Sequence, residues 1–185
     1  MSKIISQLNA TPDGFCGHTD VIADDELHEF TNGVCRTAGT ALFGRVTYQL
    51  MESYWPAAAK DTSLPKSMFE FANLIDNVEK IVFSKTLKNV EWKKTTILTD
   101  INVETITDLK RKAKKDILAG GPSIISQLSK LGLIDEYYFL VQPIISGRGK
   151  RLFETIHLNE RQKLKLVSTA FFKSGVVALH YETVH

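Results

Sequence analysis

Residues 117–125 read ILAGGPSII, an apolar run followed by two glycines, a proline, a serine and two isoleucines. The run at 117–119 predicts a short buried strand, and the apolar residues after the proline recur at the spacing of a buried helix face. Proline suits the first turn of a helix, because its missing N–H would have no partner there. We therefore expect Gly121 to cap a helix that begins at Pro122. Strand, tight turn and helix in this order are typical of an α/β domain.

The same alternation runs through the rest of the chain. The predicted elements are a strand at 4–8, a helix from 24 to about 38, a strand at 40–43, a helical turn at 46–51, a helix at 66–74, strands at 80–83 and 96–98, a helix at 103–112, the strand and helix just described, and strands at 137–142, 164–172 and 175–183. The last two are joined by Lys173-Ser174-Gly175, which favours a hairpin over a crossover. We expect one α/β domain over residues 1–185, with a mostly parallel sheet that ends in an antiparallel hairpin.

Composition excludes several classes of function. With 185 residues, of which 43% are hydrophobic, the chain has room for a single well-packed core. The 23 basic and 21 acidic residues leave a net charge of +2, which argues against a nucleic-acid surface. The basic cluster at 110–115 ends a helix, where the helix dipole explains it. No apolar run approaches the roughly 20 residues that cross a bilayer, and no signal peptide precedes the first strand. The sequence therefore predicts a soluble cytoplasmic protein without membrane or nucleic-acid partners.

The metal-binding residue types are scattered. Cys16 and Cys35 have no CxxC partner, so we expect free thiols. His157, His180 and His185 do not have the spacing of a metal site. We expect no bound metal.

Three loops follow predicted strands and carry the candidate binding residues. They are Gly44-Arg45-Val46-Thr47, Ser84-Lys85 and Gly120-Gly121-Pro122-Ser123. In α/β sheets such loops bind ligands, because the amino termini of the next helices lie there. Arg45 offers a planar set of donors that suits phosphate, although a surface arginine at a helix start has the same sequence. Ser84-Lys85 could also hold a phosphate, but the dipeptide alone is uninformative.

The double glycine has two interpretations, a tight turn or a bare backbone that a phosphate can approach. It is neither a GxGxxG fingerprint nor a P-loop. Its position as the third loop at a strand end favours a turn that is tight so that a pyrophosphate can lie on the helix. Arg45 and Lys85 together supply two positive charges, which favours NADP over NAD, since NAD recognition uses an acid at such a place.

In this order, the three loops resemble those of the dihydrofolate-reductase-like superfamily, especially the branch with the reductase domain of the bifunctional riboflavin-biosynthesis deaminase/reductase. The resemblance covers nearly the whole chain. Its further motifs are SQLNATPDGF at 6–15, YWP at 54–56 and PIISGRGKRLF at 143–153, of which the last is the most specific.

The resemblance implies a three-layer fold, a homodimer and NADPH bound along the carboxyl edge of the sheet. It assigns the pyrophosphate and 2′-phosphate to Gly44, Arg45, Val46 and Thr47, the adenosine phosphate to Ser84 and Lys85, and the pyrophosphate also to Gly120, Gly121, Pro122, Ser123 and Ile124. It further assigns the nicotinamide amide to the Ala10 backbone, the substrate to Asn9 and Trp55, and a mobile lid to residues 11–18. Trp55 has a second interpretation, a buried anchor after a helix.

Two departures from the family pattern bear on activity. Folate reductases carry an acid in the first helix, and counting back from Gly44 points to His28, which could donate a proton near neutral pH. Asp24 and Asp25 nearby are better explained as helix-start charges. The deaminase signature of the riboflavin enzyme is absent from the sequence.

The resemblance implies an NADPH-dependent reductase of a small heteroaromatic substrate close to 5-amino-6-(5-phosphoribosylamino)uracil. A nucleotide-binding or sensing module with weak catalysis and a true dihydrofolate reductase remain alternatives.

Overall fold

The structure, a computed structural model, describes residues 1–154 and 161–184. The strands are β1 (Ile4–Ala10), β2 (Ala38–Gly44), β3 (Glu79–Phe83), β4 (Thr95–Leu98), β5 (Asp116–Gly120), β6 (Glu136–Val141), β7 (Leu164–Phe171) and β8 (Val177–Thr183). The helices are α1 (Asp25–Thr37), α2 (Arg45–Glu52), α3 (Trp55–Ala58), α4 (Lys66–Asn77), α5 (Val103–Lys112) and α6 (Pro122–Lys130). The predicted elements are all present, with ends shifted by a few residues at most. The four-residue helix α3 was not predicted. His157 and His185 lie outside the described residues.

Within the described residues, the strands form one eight-stranded sheet in the order β4-β3-β2-β5-β1-β6-β8-β7. Strands β1 to β6 run parallel, β8 pairs antiparallel with β6, and β7 pairs antiparallel with β8. The mixed sheet with a carboxyl-terminal hairpin is therefore confirmed. Strand β5 lies between β1 and β2, so that Gly120 pairs with Gln7 on one side and Phe43 on the other. This order brings loops that are distant in sequence to one edge of the sheet.

Helices cover both faces of the sheet, as a three-layer fold requires. Along β2, Leu42 packs in a core with Ile106 of α5 and Leu128 of α6. Its neighbours Ala41 and Phe43 point to the other face and pack with Tyr48 of α2 and Ile75 of α4. Because successive residues of a strand face opposite sides, one buried strand serves two cores. Among the described residues, no helix combines the length and the apolar character needed to cross a bilayer.

Candidate functional site

A cleft of about 800 Å³ opens at the carboxyl edge of the parallel strands. Its size lies within the usual range for small-molecule sites. It collects residues of all three predicted loops and of the end of β1. The predicted residues that line it are Asn9, Gly44, Arg45, Val46, Thr47, Ser84, Lys85, Gly121, Pro122, Ser123 and Ile124. The sheet order thus assembles one site from loops that sequence spacing alone could not join.

Two helix amino termini meet in this cleft. Helix α2 begins after Gly44 and α6 begins after Gly121, and neither cap residue makes a side-chain hydrogen bond. The first amides of a helix have no partner within the helix. A Cβ placed on Gly44 would lie 3.6 Å from Cγ1 of Ile124, so the two helix starts are in contact distance of each other. The pair therefore presents free N–H groups and two positive dipole ends to one place, which suits an anion.

The double glycine makes this meeting possible. Gly121 has φ +89°, and a Cβ there would lie 2.2 Å from Oγ1 of Thr47 in the first turn of α2. A Cβ on Gly120 would lie 2.7 Å from Cε1 of Phe43. Both positions are closed to a side chain, for different reasons. The turn is tight, as predicted. Gly121 is required by the approach of α2 and by its backbone conformation, and Gly120 by the approach of Phe43 in β2.

The cations at the mouth of the cleft differ in their surroundings. Arg45 is exposed and donates from Nη1 to Oε1 of Gln49 at 3.2 Å. Lys85 is also exposed, and its Nζ lies 3.4 Å from Oδ1 of Asp100 at the end of β4. A hydrogen bond from the Thr99 hydroxyl, together with Lys85, lowers the pKa of Asp100. An acid therefore stands beside one of the two cations, a feature that the sequence interpretation missed.

Ser84 has a local structural role. Its buried hydroxyl accepts the amides of Leu87 at 2.9 Å and Thr86 at 3.2 Å. These bonds close the turn after β3 and fix the start of the loop that carries Lys85.

The floor of the cleft is formed by carboxamide side chains of β1. Gln7 donates from Nε2 to Oγ1 of Thr31 at 2.7 Å, and its Oε1 is buried without a hydrogen-bond partner among the described residues. Asn9 accepts at Oδ1 from Nε2 of the fully buried Gln142 at 2.8 Å. The Oε1 of Gln142 in turn accepts the Ile22 amide at 2.9 Å. The floor is therefore polar and held by hydrogen bonds, with one acceptor unused.

The glycine-rich segment at 143–153 fastens the loop that follows β1. The carboxylate of Asp13 accepts the amides of Gly147 at 2.7 Å and Ser146 at 3.3 Å. The amide of Cys16 donates to the Lys150 carbonyl at 2.8 Å. Hydrogen bonds from the Thr11 hydroxyl and these amides lower the pKa of Asp13. The two family motifs thus form one unit, which brings residues 16–18 and Lys150 to the cleft.

Four predicted site residues do not line the cleft. The Ala10 carbonyl accepts the Gln142 amide at 2.8 Å, and Gly120 lies one residue behind the lining glycine. His28 faces α4, with Nδ1 2.9 Å from the Asp24 carbonyl and its ring 6.3 Å from that of Phe71. The ring of Trp55 also packs against Phe71, with the ring centroids 4.6 Å apart. His28 lies on α1, and the packing of α1 on α4 turns its ring towards Phe71 and away from the cleft lining.

Sequence reasoning missed several lining residues. Gln7, Met51, Asp100, Gln127 and Lys150 all line the cleft without having been singled out. Asp100 is the one carboxylate among the described lining residues, so no acid lines the described part of the cleft at the carboxamide floor. Two signals could have helped. The register Phe83↔Leu98 of parallel β3 and β4 puts Asp100 level with Lys85. Gln7 is one of three polar residues in β1, a central strand of a kind that is normally apolar.

Comparisons with known proteins show the fold and the family of the chain. The uncharacterized protein YyaP of Bacillus subtilis (strain 168) is 34% identical over 184 residues, which cover 97% of this chain and 94% of that protein. The diaminohydroxyphosphoribosylaminopyrimidine deaminase/5-amino-6-(5-phosphoribosylamino)uracil reductase of Thermotoga maritima superposes with a TM-score of 0.68 at 17% identity, over 99% of this chain and 57% of that one. Dihydrofolate reductase of Enterococcus faecalis, complexed with NADP(H), gives 0.61 at 15% identity, over 99% and 97% of the two chains. The two structures share the fold. Residues 2–178 match the RibD C-terminal domain family, and the chain belongs to it.

Proposed function

We propose that the protein is an NADPH-dependent oxidoreductase that reduces a small heteroaromatic ring. The observation that carries this proposal is the meeting of two uncapped helix amino termini beside Arg45 and Lys85, at one end of a cleft whose other end has a carboxamide floor. An anionic cofactor suits the first end and a flat polar ring suits the second. Family membership supports the same reaction class.

The described residues fit a dinucleotide phosphate. Gly121 leaves no room for a side chain, and the free amides of α2 and α6 suit a pyrophosphate. Arg45 and Lys85 would hold the adenosine end, and the exposed side chains of Val46 and Leu50 offer apolar surface along α2. NADPH would supply a hydride when bound. The chain's own part is to orient the cofactor and the ring and to exclude water between them.

The proposed substrate resembles 5-amino-6-(5-phosphoribosylamino)uracil. The Thermotoga neighbour is named for reducing that compound, and the polar floor formed by Gln7 and Asn9 suits a nitrogen-rich ring with carbonyl groups. Apolar side chains of Val21 and Met51 also line the cleft and suit the faces of such a ring.

One observation favours the second candidate, a nucleotide-binding or sensing module with weak catalysis. His28 packs against α4, and the described lining contains no acid at the carboxamide end. A reductase that uses a carboxylic acid as its proton donor would lack one there. A true dihydrofolate reductase is disfavoured for the same reason.

Isothermal titration with NADPH and NADH tests the cofactor. We expect NADPH to bind more tightly, and the Arg45→Ala variant to lose NADPH affinity more than NADH affinity, because the guanidinium meets the 2′-phosphate. Equal loss of both would contradict that role, and binding of neither would refute both candidates. If NADPH binds, stopped-flow oxidation against 5-amino-6-(5-phosphoribosylamino)uracil and dihydrofolate separates the enzyme from the sensor. Turnover of neither compound or of related rings favours the sensor.

We also propose a cytoplasmic homodimer. Strand β7 is the last strand of the sheet, and Leu166, Val167 and Phe171 on it are 50%, 45% and 77% exposed. An exposed apolar edge strand invites pairing with a second chain. Sedimentation equilibrium should give twice the chain mass of 20.8 kDa, and a single chain mass at micromolar concentration would contradict the dimer.

A further inference from the structure

His18 lines the cleft from the loop that follows β1, and this loop is tied to the carboxamide floor. The Ile22 amide, four residues after His18, donates to Oε1 of Gln142 at 2.9 Å. The Nε2 group of Gln142 donates to Oδ1 of Asn9 at 2.8 Å. Gln142 is fully buried, so this bridge has a fixed position. It holds the loop of His18 against the end of the cleft that suits the proposed substrate ring.

The turn at 17–20 leaves the ring of His18 free to meet a ligand. The Asp20 amide donates to the Gly17 carbonyl at 3.3 Å, and Oδ2 of Asp20 accepts the Ser146 hydroxyl at 2.9 Å. These two bonds hold the backbone around His18. The side chain itself is exposed, and its ring forms no hydrogen bond with any residue that the structure describes. It can therefore turn towards a bound ring without losing a contact of that kind.

Reduction of a C=N bond requires a proton as well as a hydride. The hydride adds to the carbon, the π-electron pair of the bond moves to the nitrogen, and the nitrogen then takes a proton. Among the described lining residues, the titratable side chains are Cys16, His18, Arg45, Lys85, Asp100 and Lys150.

Acid strength and position leave His18 as the donor among these groups. Guanidinium and ammonium groups are too weak as acids to give up a proton readily near neutral pH. Asp100 is paired with Lys85 at 3.4 Å, away from the carboxamide floor. Burial raises the pKa of the Cys16 thiol, which already donates to the Lys150 carbonyl at 3.2 Å. Imidazole is the side chain that gains and loses a proton near neutral pH.

We propose that His18 is a catalytic residue, the proton donor that protonates the substrate nitrogen as the neighbouring carbon receives the hydride. This proposal rests on the reductase function proposed above. NADPH supplies the hydride and leaves as NADP⁺. The His18 imidazolium gives its proton to the nitrogen and becomes neutral imidazole, which solvent protonates again because the side chain is exposed. A carboxylic acid at the carboxamide floor is then not required for catalysis.

Stopped-flow oxidation of NADPH by 5-amino-6-(5-phosphoribosylamino)uracil and by dihydrofolate tests this role in the wild type and in His18→Gln. Glutamine keeps a hydrogen-bonding group but is not an acid. We expect the rate at saturating substrate to fall by about 100-fold or more, since general acid catalysis contributes that much, with little change in KM. The wild-type rate should fall with rising pH above neutrality, and the residual rate of the variant should not. Added imidazole should restore part of the rate of His18→Ala, which a structural role would not allow.

A binding measurement tests the contact without turnover. The imidazole NMR signals of His18, assigned by their loss in His18→Gln, should shift when 5,6-diaminouracil is added in the absence of NADPH. His180→Gln is the matched control, because it makes the same change at a histidine that bonds to Glu136 at 2.9 Å outside the cleft lining. It should keep the rate and the pH profile of the wild type.

The outcomes separate this proposal from the one on which it rests. If the wild type oxidises NADPH and His18→Gln keeps its rate and pH profile, the role of His18 is refuted and the reductase stands. A loss of rate that imidazole does not restore, or His18 signals that 5,6-diaminouracil leaves unshifted, also refutes the role of His18 alone. If the wild type oxidises NADPH with neither compound, the reductase proposal is refuted and the role of His18 with it.

Discussion

Replacing Gly121 by alanine should force apart the two helix starts that form the anion site. The new Cβ would lie 2.2 Å from Oγ1 and 2.9 Å from Cβ of Thr47. A change of rotamer can move Oγ1 away, but Cβ is fixed to the backbone of α2. Because ordinary contacts between carbon atoms are about 3.5 Å or longer, the helices must separate by roughly 0.5 to 1 Å.

The expected cost has two parts. A non-glycine residue at φ +89° and ψ 148° costs about 1–3 kcal/mol, since this region is almost exclusive to glycine. Overpacking against Thr47 adds about 1–3 kcal/mol. Together they lower the free energy of unfolding by about 4 kcal/mol, which corresponds to a melting temperature about 10 °C lower for a chain of this size. Displacement of the α6 amides should weaken NADPH binding by tenfold or more.

Gly132→Ala is the matched control, at the other end of α6. Gly132 also has positive φ, +67°, but none of the described residues has an atom within 4 Å of a Cβ placed there. Differential scanning calorimetry should show a loss of about 1 kcal/mol for this variant, and NADPH affinity should be unchanged. Adding Thr47→Ala to Gly121→Ala should recover part of the stability, since it removes the 2.2 Å contact but leaves Cβ. If Gly121→Ala is no less stable than Gly132→Ala, the contact with Thr47 does not explain the glycine.

Two further predictions concern charge. The Asp100→Asn variant removes the acid beside Lys85 and should raise the affinity for NADPH relative to NADH by a few-fold, as measured by isothermal titration. Asp61→Asn is the control, because it changes the net charge equally at a residue outside the cleft lining, and it should leave the relative affinity unchanged. Burial lowers the pKa of Lys80 to about 8 from 10.5. Between these pH values the unfolded chain binds more protons than the folded chain does, so the contribution of Lys80 to the free energy of unfolding rises with pH. The Lys80→Met variant removes the hydrogen-bond donor of the carbonyls of Ile75, Asp76 and Val78. It should lower the free energy of unfolding by about 3 kcal/mol at pH 7 and abolish the rise with pH. Urea unfolding of the wild type and of Lys80→Met from pH 7 to 10 measures this difference. Parallel pH profiles of the two proteins would contradict the role of Lys80 in the pH dependence.

The sequence predicted the elements well because each carries its own local signal. Pro122 begins α6 and Gly121 caps it as expected, since proline and glycine act through their own backbone. The sheet order was not accessible in this way. Nothing local places β5 between β1 and β2, although that placement is what brings Gly120 beside Gln7. The three strand-end loops were therefore identified one by one, and their union in one cleft required the tertiary structure.

The direction of a side chain is harder to predict from the sequence than the element that carries it. His28 and Trp55 were chosen from a motif count and a resemblance, and both pack around Phe71 outside the cleft lining. On a helix, a shift of one position turns a side chain by about 100°, so a count of sixteen residues back from Gly44 carries no directional information. Asp100 was missed for a different reason. The parallel pairing of β3 and β4 brings Asp100 level with Lys85, but the two residues are fifteen positions apart in sequence, so the strand pairing had to be known first.

Strand β1 bears polar residues that are unusual in a central strand. A central parallel strand buried on both faces is normally apolar throughout, as Ala41, Leu42 and Phe43 are in β2. In β1 the face towards α1 instead bears Gln7 and Asn9, with one buried acceptor left unpaired. Packing gives no reason for this choice, and local rules are most often broken at functional sites. The other end of the cleft consists largely of backbone amides, which many turns provide, together with Arg45 and Lys85. We therefore expect differences in substrate among members of this family to follow the side chains of β1.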